Sequence, residues 1–199
     1  MTVWQITKPA ALVTAEEARA AGAFSAEDAD ARIQFLLSTA QQSIDGPHGR
    51  LGRAVGDQEL EAVLPSRGAA IRPIQLPLPT ATAIISVHAG PAGDEAVIAP
   101  GAYAFDGANV IPRGSWAASE AIRIRYKAGW TAQDVPEVIK HAIIMMAGQL
   151  KTLQIVSGAL RRETIDGVGT WDYVMPDTAA SALRGAADDL LRPFKVYHV

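Results

Sequence analysis

Proline placement constrains this chain more than any other feature. Pro65, Pro73, Pro77, Pro79, Pro91, Pro100 and Pro112 recur at short intervals through the middle of the sequence. Each proline inside a helix removes a hydrogen bond and clashes with the preceding turn, so no long helix can run through this stretch. The β-branched runs between the prolines predict short strands at 58–63, 71–76, 82–88, 103–105, 110–111 and 121–127. The last is the clearest. Ile122, Ile124 and Tyr126 alternate with Arg123, Arg125 and Lys127, setting an apolar row against a core and a cationic row on the other face. Gly90-Pro91-Ala92-Gly93-Asp94 has the composition of a hairpin tip.

The flanks read as helices. Thr14-Ala-Glu-Glu17 is a capping box, able to satisfy the first free N–H groups of a short helix that ends at Gly22. Ser25-Ala-Glu-Asp28 opens a second helix, on which Ile33, Leu36, Leu37, Ala40 and Ile44 follow helical spacing until Asp45-Gly46-Pro47 stops it. Beyond the β stretch, Asp134-Val135-Pro136-Glu137 combines an N-cap, a first-turn proline and a first-turn acid. Ile139, Ile143, Met146, Leu150 and Leu153 then predict an amphipathic helix to residue 155. Residues 157–176, with Gly158, Gly167, Gly169 and Pro176, predict loop; residues 178–191 predict a last helix with Leu183, Ala187, Leu190 and Leu191 on one side. The expected class is α+β. A small helical bundle comes from residues 1–46 and 131–192, an antiparallel β subdomain is inserted at 47–130, and a tail follows at 193–199.

Chemistry is mostly excluded. A chain of 199 residues needs no disulfide or metal to fold, and with no Cys it has no thiolate metal site and no cysteine nucleophile. A net charge of −3 is far from that of a dedicated nucleic-acid binder. No run resembles a secretory signal or a membrane span, which predicts a soluble protein with no membrane partner. His48, His88, His141 and His198 are too scattered for a zinc pair, and Gly167-Val-Gly169 opens no helix. The acidic neighbours Glu16/Glu17 and Asp188/Asp189 suit helix first turns and polar faces better than acid–base catalysis. No catalytic residue, cofactor site or metal site is predicted. Two features remain. Arg123, Arg125 and Lys127, with Arg161 and Arg162 further on, could hold phosphates or could be the solvated faces of their elements. After Pro193, Phe194, Val196 and Tyr197 alternate with Lys195 and His198, the pattern of an extended segment that packs on its own core or on a partner.

The order of these segments resembles the head–tail connector (adaptor) proteins of tailed bacteriophages, in the longer form with a β insertion. Leu12-Val-Thr-Ala-Glu-Glu-Ala is similar to that family's opening helix start, and residues 25–44 to its second helix. Ile74-Gln-Leu-Pro-Leu-Pro with Ile84-Ile-Ser-Val resembles its proline-rich strand pair, and Ala102-Tyr-Ala-Phe-Asp and Val110-Ile-Pro-Arg-Gly the short strands that follow. The most specific stretch is Ile122-Arg-Ile-Arg-Tyr-Lys-Ala-Gly-Trp130, then Val135-Pro-Glu-Val-Ile-Lys-His-Ala-Ile143. A strand ending in Tyr-x-x-Gly, then Val-Pro and an amphipathic helix, is the family's recurring signature. The likeness spans residues 12–155, with a weaker match at Leu190-Leu-Arg-Pro-Phe-Lys-Val; Gly46-Pro-His-Gly-Arg departs from relatives that keep a longer, aromatic-bearing helix end.

The resemblance implies a structural protein rather than an enzyme. It implies a ring, usually of twelve copies, below the portal, linking the DNA-filled head to the stopper and tail while packaged DNA passes through its lumen. Assembly would occur in the bacterial cytoplasm and the finished ring would sit in the neck of the released particle. An excess of Arg over Lys and abundant Ala suggest a GC-rich genome, hence a prophage or a gene transfer agent. Because the family sets C-terminal segments against the portal, the resemblance gives Arg192, Pro193, Phe194, Lys195, Val196 and Tyr197 a docking role. The alternative is a nucleic-acid-binding module using the Arg123/Arg125/Lys127 face.

Overall fold

A strand with strict two-residue alternation should lie in a sheet with one face covered, and the alternating residues 122–127 lie in the middle strand of one. The computed structural model describes residues 2–68, 72–91, 95–114, 116, 119–156, 162–165, 169–172 and 185–196. The fold is α+β, and the chain divides into two units.

The first unit comprises residues 1–12, 42–135 and 195–199. Its main sheet contains β1 (Thr2–Gln5), β2 (Gln58–Gly68), β4 (Ala81–Gly90), β5 (Ala96–Val97) and β8 (Ser119–Ala128). Their spatial order is β1-β2-β8-β4-β5, and every neighbouring pair is antiparallel. A second sheet, in the order β3-β7-β6, is formed by β3 (Ile74–Gln75), β6 (Tyr103–Phe105) and β7 (Asn109–Pro112). Ile122, Ile124 and Tyr126 of β8 are buried with Leu60 and Ala62 of β2, Val87 and Ala89 of β4, Val110 of β7 and Trp116. Burying each large apolar side chain contributes about 1.5–3 kcal/mol. Pro65 marks the point where the β2–β8 register shifts, the kind of place where a strand tolerates a missing N–H.

The Tyr126-x-x-Gly129 turn has a steric cause. Gly129 takes a φ of +102°, and a β-carbon there would lie 2.1 Å from the Gly56 carbonyl oxygen. That close approach lets the Trp130 N–H donate to the Val55 carbonyl at 2.8 Å while the Asp57 N–H donates to the Trp130 carbonyl at 2.9 Å. The end of the central strand is thereby stitched to the segment entering β2. Thr80 is held at a φ of +80°, with its hydroxyl donating to the Ala54 carbonyl at 2.7 Å and its carbonyl accepting from Gly129 at 3.0 Å.

The second unit comprises residues 13–41 and 136–194. It holds α1 (Ala15–Ala20), most of α2 (Asp30–Ile44), α3 (Glu137–Val156), a helical stretch α4 (185–191), and a hairpin of β9 (Arg162–Ile165) and β10 (Gly169–Asp172). The capping box forms as expected: Glu17 N–H donates to the Thr14 hydroxyl at 3.2 Å and Thr14 N–H donates to the Glu17 carboxylate at 2.7 Å. All five apolar positions of α2 are buried.

Several expectations need correction. Residues 2–5 form a strand rather than part of a helical region, because β1 gains backbone bonds along β2. Residues 1–12 therefore group with the sheet, as do 42–46, 131–135 and 195–199, so the division between the units differs from the one expected. The second helix starts at Asp30, not at Ser25, since Asp28 folds back to accept the Ser25 N–H at 2.8 Å. The region expected to be loop contains the β9–β10 hairpin. On α3 the buried surface is broader than one stripe, including Ala142, Ile144 and Ala147, while Leu153 is exposed.

Candidate assembly surfaces

The alternation in β8 sends Arg123, Arg125 and Lys127 to the face of the sheet opposite the core. The register places Glu59, Glu61 and Val63 of β2 beside them on one side and Ser86 and His88 of β4 on the other. Two of the three cations are engaged there. Arg123 bonds Glu61 at 2.7 Å and Glu95 at 3.2 Å, and Arg125 bonds Glu59 at 2.6 Å. The Glu61 bond, then the Glu95 bond, raise the Arg123 pKa above its ordinary value. Lys127 is exposed. Three carboxylates therefore balance a row that in sequence was open to either phosphate binding or a solvated strand face, which removes the charge excess that a nucleic-acid face requires. Of the further candidates, Arg162 lies on β9 and Arg161 lies outside the described residues.

The same face carries exposed apolar side chains at its margins. Trp4 is opposite Glu61 in the β1–β2 register, and Val97 is opposite His88 in the β4–β5 register. Both side chains are exposed, as are those of nearby Ile6 and Ile85. Trp4 and Val97 did not stand out in the sequence, because four residues of β1 and two of β5 are too few to show a period.

The C-terminal segment begins as a 3-10 turn over Arg192–Phe194, where an extended strand was expected. Arg192 pairs with Asp189 one turn earlier at 2.7 Å. Val196 then donates its N–H to the Leu51 carbonyl at 2.8 Å. Leu51 is buried in the compact loop after α2, whose geometry depends on Gly49: a β-carbon there would lie 2.4 Å from the Asp45 backbone. Arg192, Pro193 and Lys195 stay exposed, whereas Phe194 and Val196 are half-buried. Tyr197 lies outside the described residues.

Asp45, which in sequence looked only like a helix stop, is the main polar group the sequence reading missed. Its side chain is buried and accepts the N–H groups of Val55 (2.7 Å) and Gly56 (2.9 Å) and the amide of Gln58 (2.7 Å). The Gln58 carbonyl oxygen accepts in turn from the Gln5 amide at 3.0 Å. One carboxylate thus ties the loop after α2 to β2, and β2 to β1. Beside it, Arg53 stacks over Trp130 at 5.2 Å, and burial pulls the Arg53 pKa down. The signal was faint, a single Asp before Gly-Pro.

In the helical unit a shallow groove of about 300 Å³ is lined by Val13, Glu17, Ala20, Lys140, His141 and Ile144. Lys140 bridges Glu17 at 3.4 Å and Glu137 at 3.3 Å; burial draws its pKa down but these carboxylates outweigh that, and the net shift is upward. Glu17 caps α1 and pairs with Lys140, both structural tasks. Among the described residues no group of His, Asp and Glu is arranged to hold a metal, and no helix is long and apolar enough to cross a membrane.

No protein-family model matches the chain, and no curated protein sequence matches it. Solved structures do. A chain in the virion of a native gene transfer agent particle superposes with a TM-score of 0.68 at 16% identity, over 100% of this chain and 97% of that one. A chain from the neck of an empty gene transfer agent particle, computed with C6 symmetry, gives 0.67 at 17% identity with the same coverage. A chain from the neck of a native particle, computed with C12 symmetry, gives 0.64 at 17%. At this identity the likeness establishes a shared fold along the whole chain.

Proposed function

We propose that this protein is a head–tail connector of a phage-like particle. Copies of it form a ring below the portal, twelve in number, that joins the DNA-filled head to the stopper and tail. The observation that carries this reading is the end-to-end fold likeness to chains of gene transfer agent particles, two of them from necks computed with C6 or C12 symmetry. The engagement of Arg123 and Arg125 by glutamates supports a structural role over nucleic-acid capture. Packaged DNA passes through the lumen of the ring without sequence recognition. The portal contact falls to the exposed part of the C-terminal segment, Arg192, Pro193 and Lys195, with the residues that follow. The particle is a gene transfer agent or a prophage product, assembled in the bacterial cytoplasm.

Electron microscopy of particles made with and without the chain tests the proposal. With it, a ring should occupy one capsid vertex between portal and tail. Without it, heads should fill with DNA and carry no tails. Normal tails in its absence would sink the reading.

A further inference from the structure

The two margins of the five-stranded sheet are complementary to each other. β1 forms one edge and β5 the other, and within the sheet each pairs on one side only. A sheet edge presents backbone N–H and C=O groups that another strand can take up. All four neighbouring pairs are antiparallel, so the first and fifth strands in the order run in the same direction. The registers also fix faces. Trp4 follows through Glu61 and Arg125 to Ser86, and Val97 through His88 to Arg123, so Trp4 and Val97 project from one and the same face. Trp4 is 48% exposed and Val97 is 67% exposed, large values for apolar side chains at strand positions.

We propose that β5 of one copy pairs in parallel with β1 of the next, bringing Trp4 and Val97 together across the junction. The occupant of each edge is a second copy because one chain carries both halves of the contact, in matching direction and with apolar side chains on the same face. A contact between two different patches repeats head to tail and closes into a ring when the rotation allows. Parallel pairing is less stable per residue than antiparallel, and these strands are short. Each junction is therefore weak alone and is completed by closure on a template. The inference deepens the connector reading and rests on it.

The chain has no Cys, so introduced thiols report without background. Particles carrying the double variant Trp4→Cys/Val97→Cys are treated with a short bismaleimide, and so are particles carrying Thr2→Cys/Val97→Cys, a second pair on the same edges and the same face. The expected result is a ladder of covalent multimers from each double variant. Mixing the two single variants should stop at linked pairs, since each copy then supplies one half of a junction. If microscopy places the chain in the neck ring and both double variants stay monomeric on denaturing gels, the edge junction is overturned while the ring stands. If the chain is absent from the neck, the connector reading falls and takes this inference with it.

Discussion

A methyl group at residue 129 has nowhere to go. The β-carbon of an alanine would lie 2.1 Å from the Gly56 carbonyl oxygen, and the φ of +102° is itself unfavourable for any L side chain. Gly129→Ala should therefore cost about 2–4 kcal/mol, measured as a drop in the denaturant midpoint at unchanged slope. A midpoint within error of the parent would show that the crossing at Val55–Asp57 is not needed. Asp28 makes a different, pH-dependent prediction. The Lys151 ammonium at 2.5 Å, then the Ser25 N–H, hold its carboxyl at about 2, below the ordinary 3.8. A depressed carboxylate contributes stability that is complete above the unfolded value and is lost as pH falls through the folded one. The difference in melting temperature between the parent and Asp28→Asn should therefore be constant above about pH 5 and shrink as pH falls from there through about 2. Parallel curves across that window would rule out the ion pair as its origin.

At the scale of elements, β8 was legible because the strict alternation from Ile122 to Lys127 admits only one phase. That phase predicts that changing Arg123, Arg125 and Lys127 together to Gln leaves the core untouched. Partly exposed cross-strand pairs contribute roughly 0.2–1 kcal/mol each, so the triple variant should lose only about 1 kcal/mol, less in high salt. A loss several times larger in thermal unfolding would mean that the row is buried. The capped start of α1, the stripe of α2 and the start of α3 were legible for the same kind of reason: each is specified within a few residues of itself. What the sequence hid was specified from elsewhere. β1 exists because β2 offers it a ladder, and its partners lie more than fifty residues away. The β9–β10 hairpin lies in a glycine-containing stretch whose composition reads as loop. Asp45 gives no local hint that Val55, Gly56 and Gln58 converge on it, because a buried hydrogen-bond hub has no period. The candidate surfaces fared the same way: the cationic row was visible in sequence, but the glutamates that balance it belong to other strands or their flanks.

For the whole molecule, the C-terminal segment is where stability and the proposed portal contact can be tested together. The Val196 N–H bond to Leu51 contributes about 1 kcal/mol, and the half-buried Phe194 and Val196 side chains add to it, so a chain ending at Pro193 should fold with a lower melting temperature. Heads made with it should fill with DNA and remain tailless if the portal contact lies in this segment; unfolding of the truncated chain would show that the segment belongs to its own core, and normal tails would place the portal contact elsewhere. The order of the main sheet has a consequence of another kind, for synthesis. β8 is the middle strand of five and the last of them to leave the ribosome. Until it does, β1–β2 and β4–β5 are two separate ribbons, and the flank that each will later give to β8 is uncovered. Translation advances at about 5–20 residues per second, so the 60 residues from Gly68 to Ala128 keep the β2 flank open for roughly 3–12 s and the 38 from Gly90 keep the β4 flank open for roughly 2–8 s. During that interval a neighbouring nascent chain could supply the missing strand as readily as the chain's own β8, and crowding many copies on one message raises that hazard.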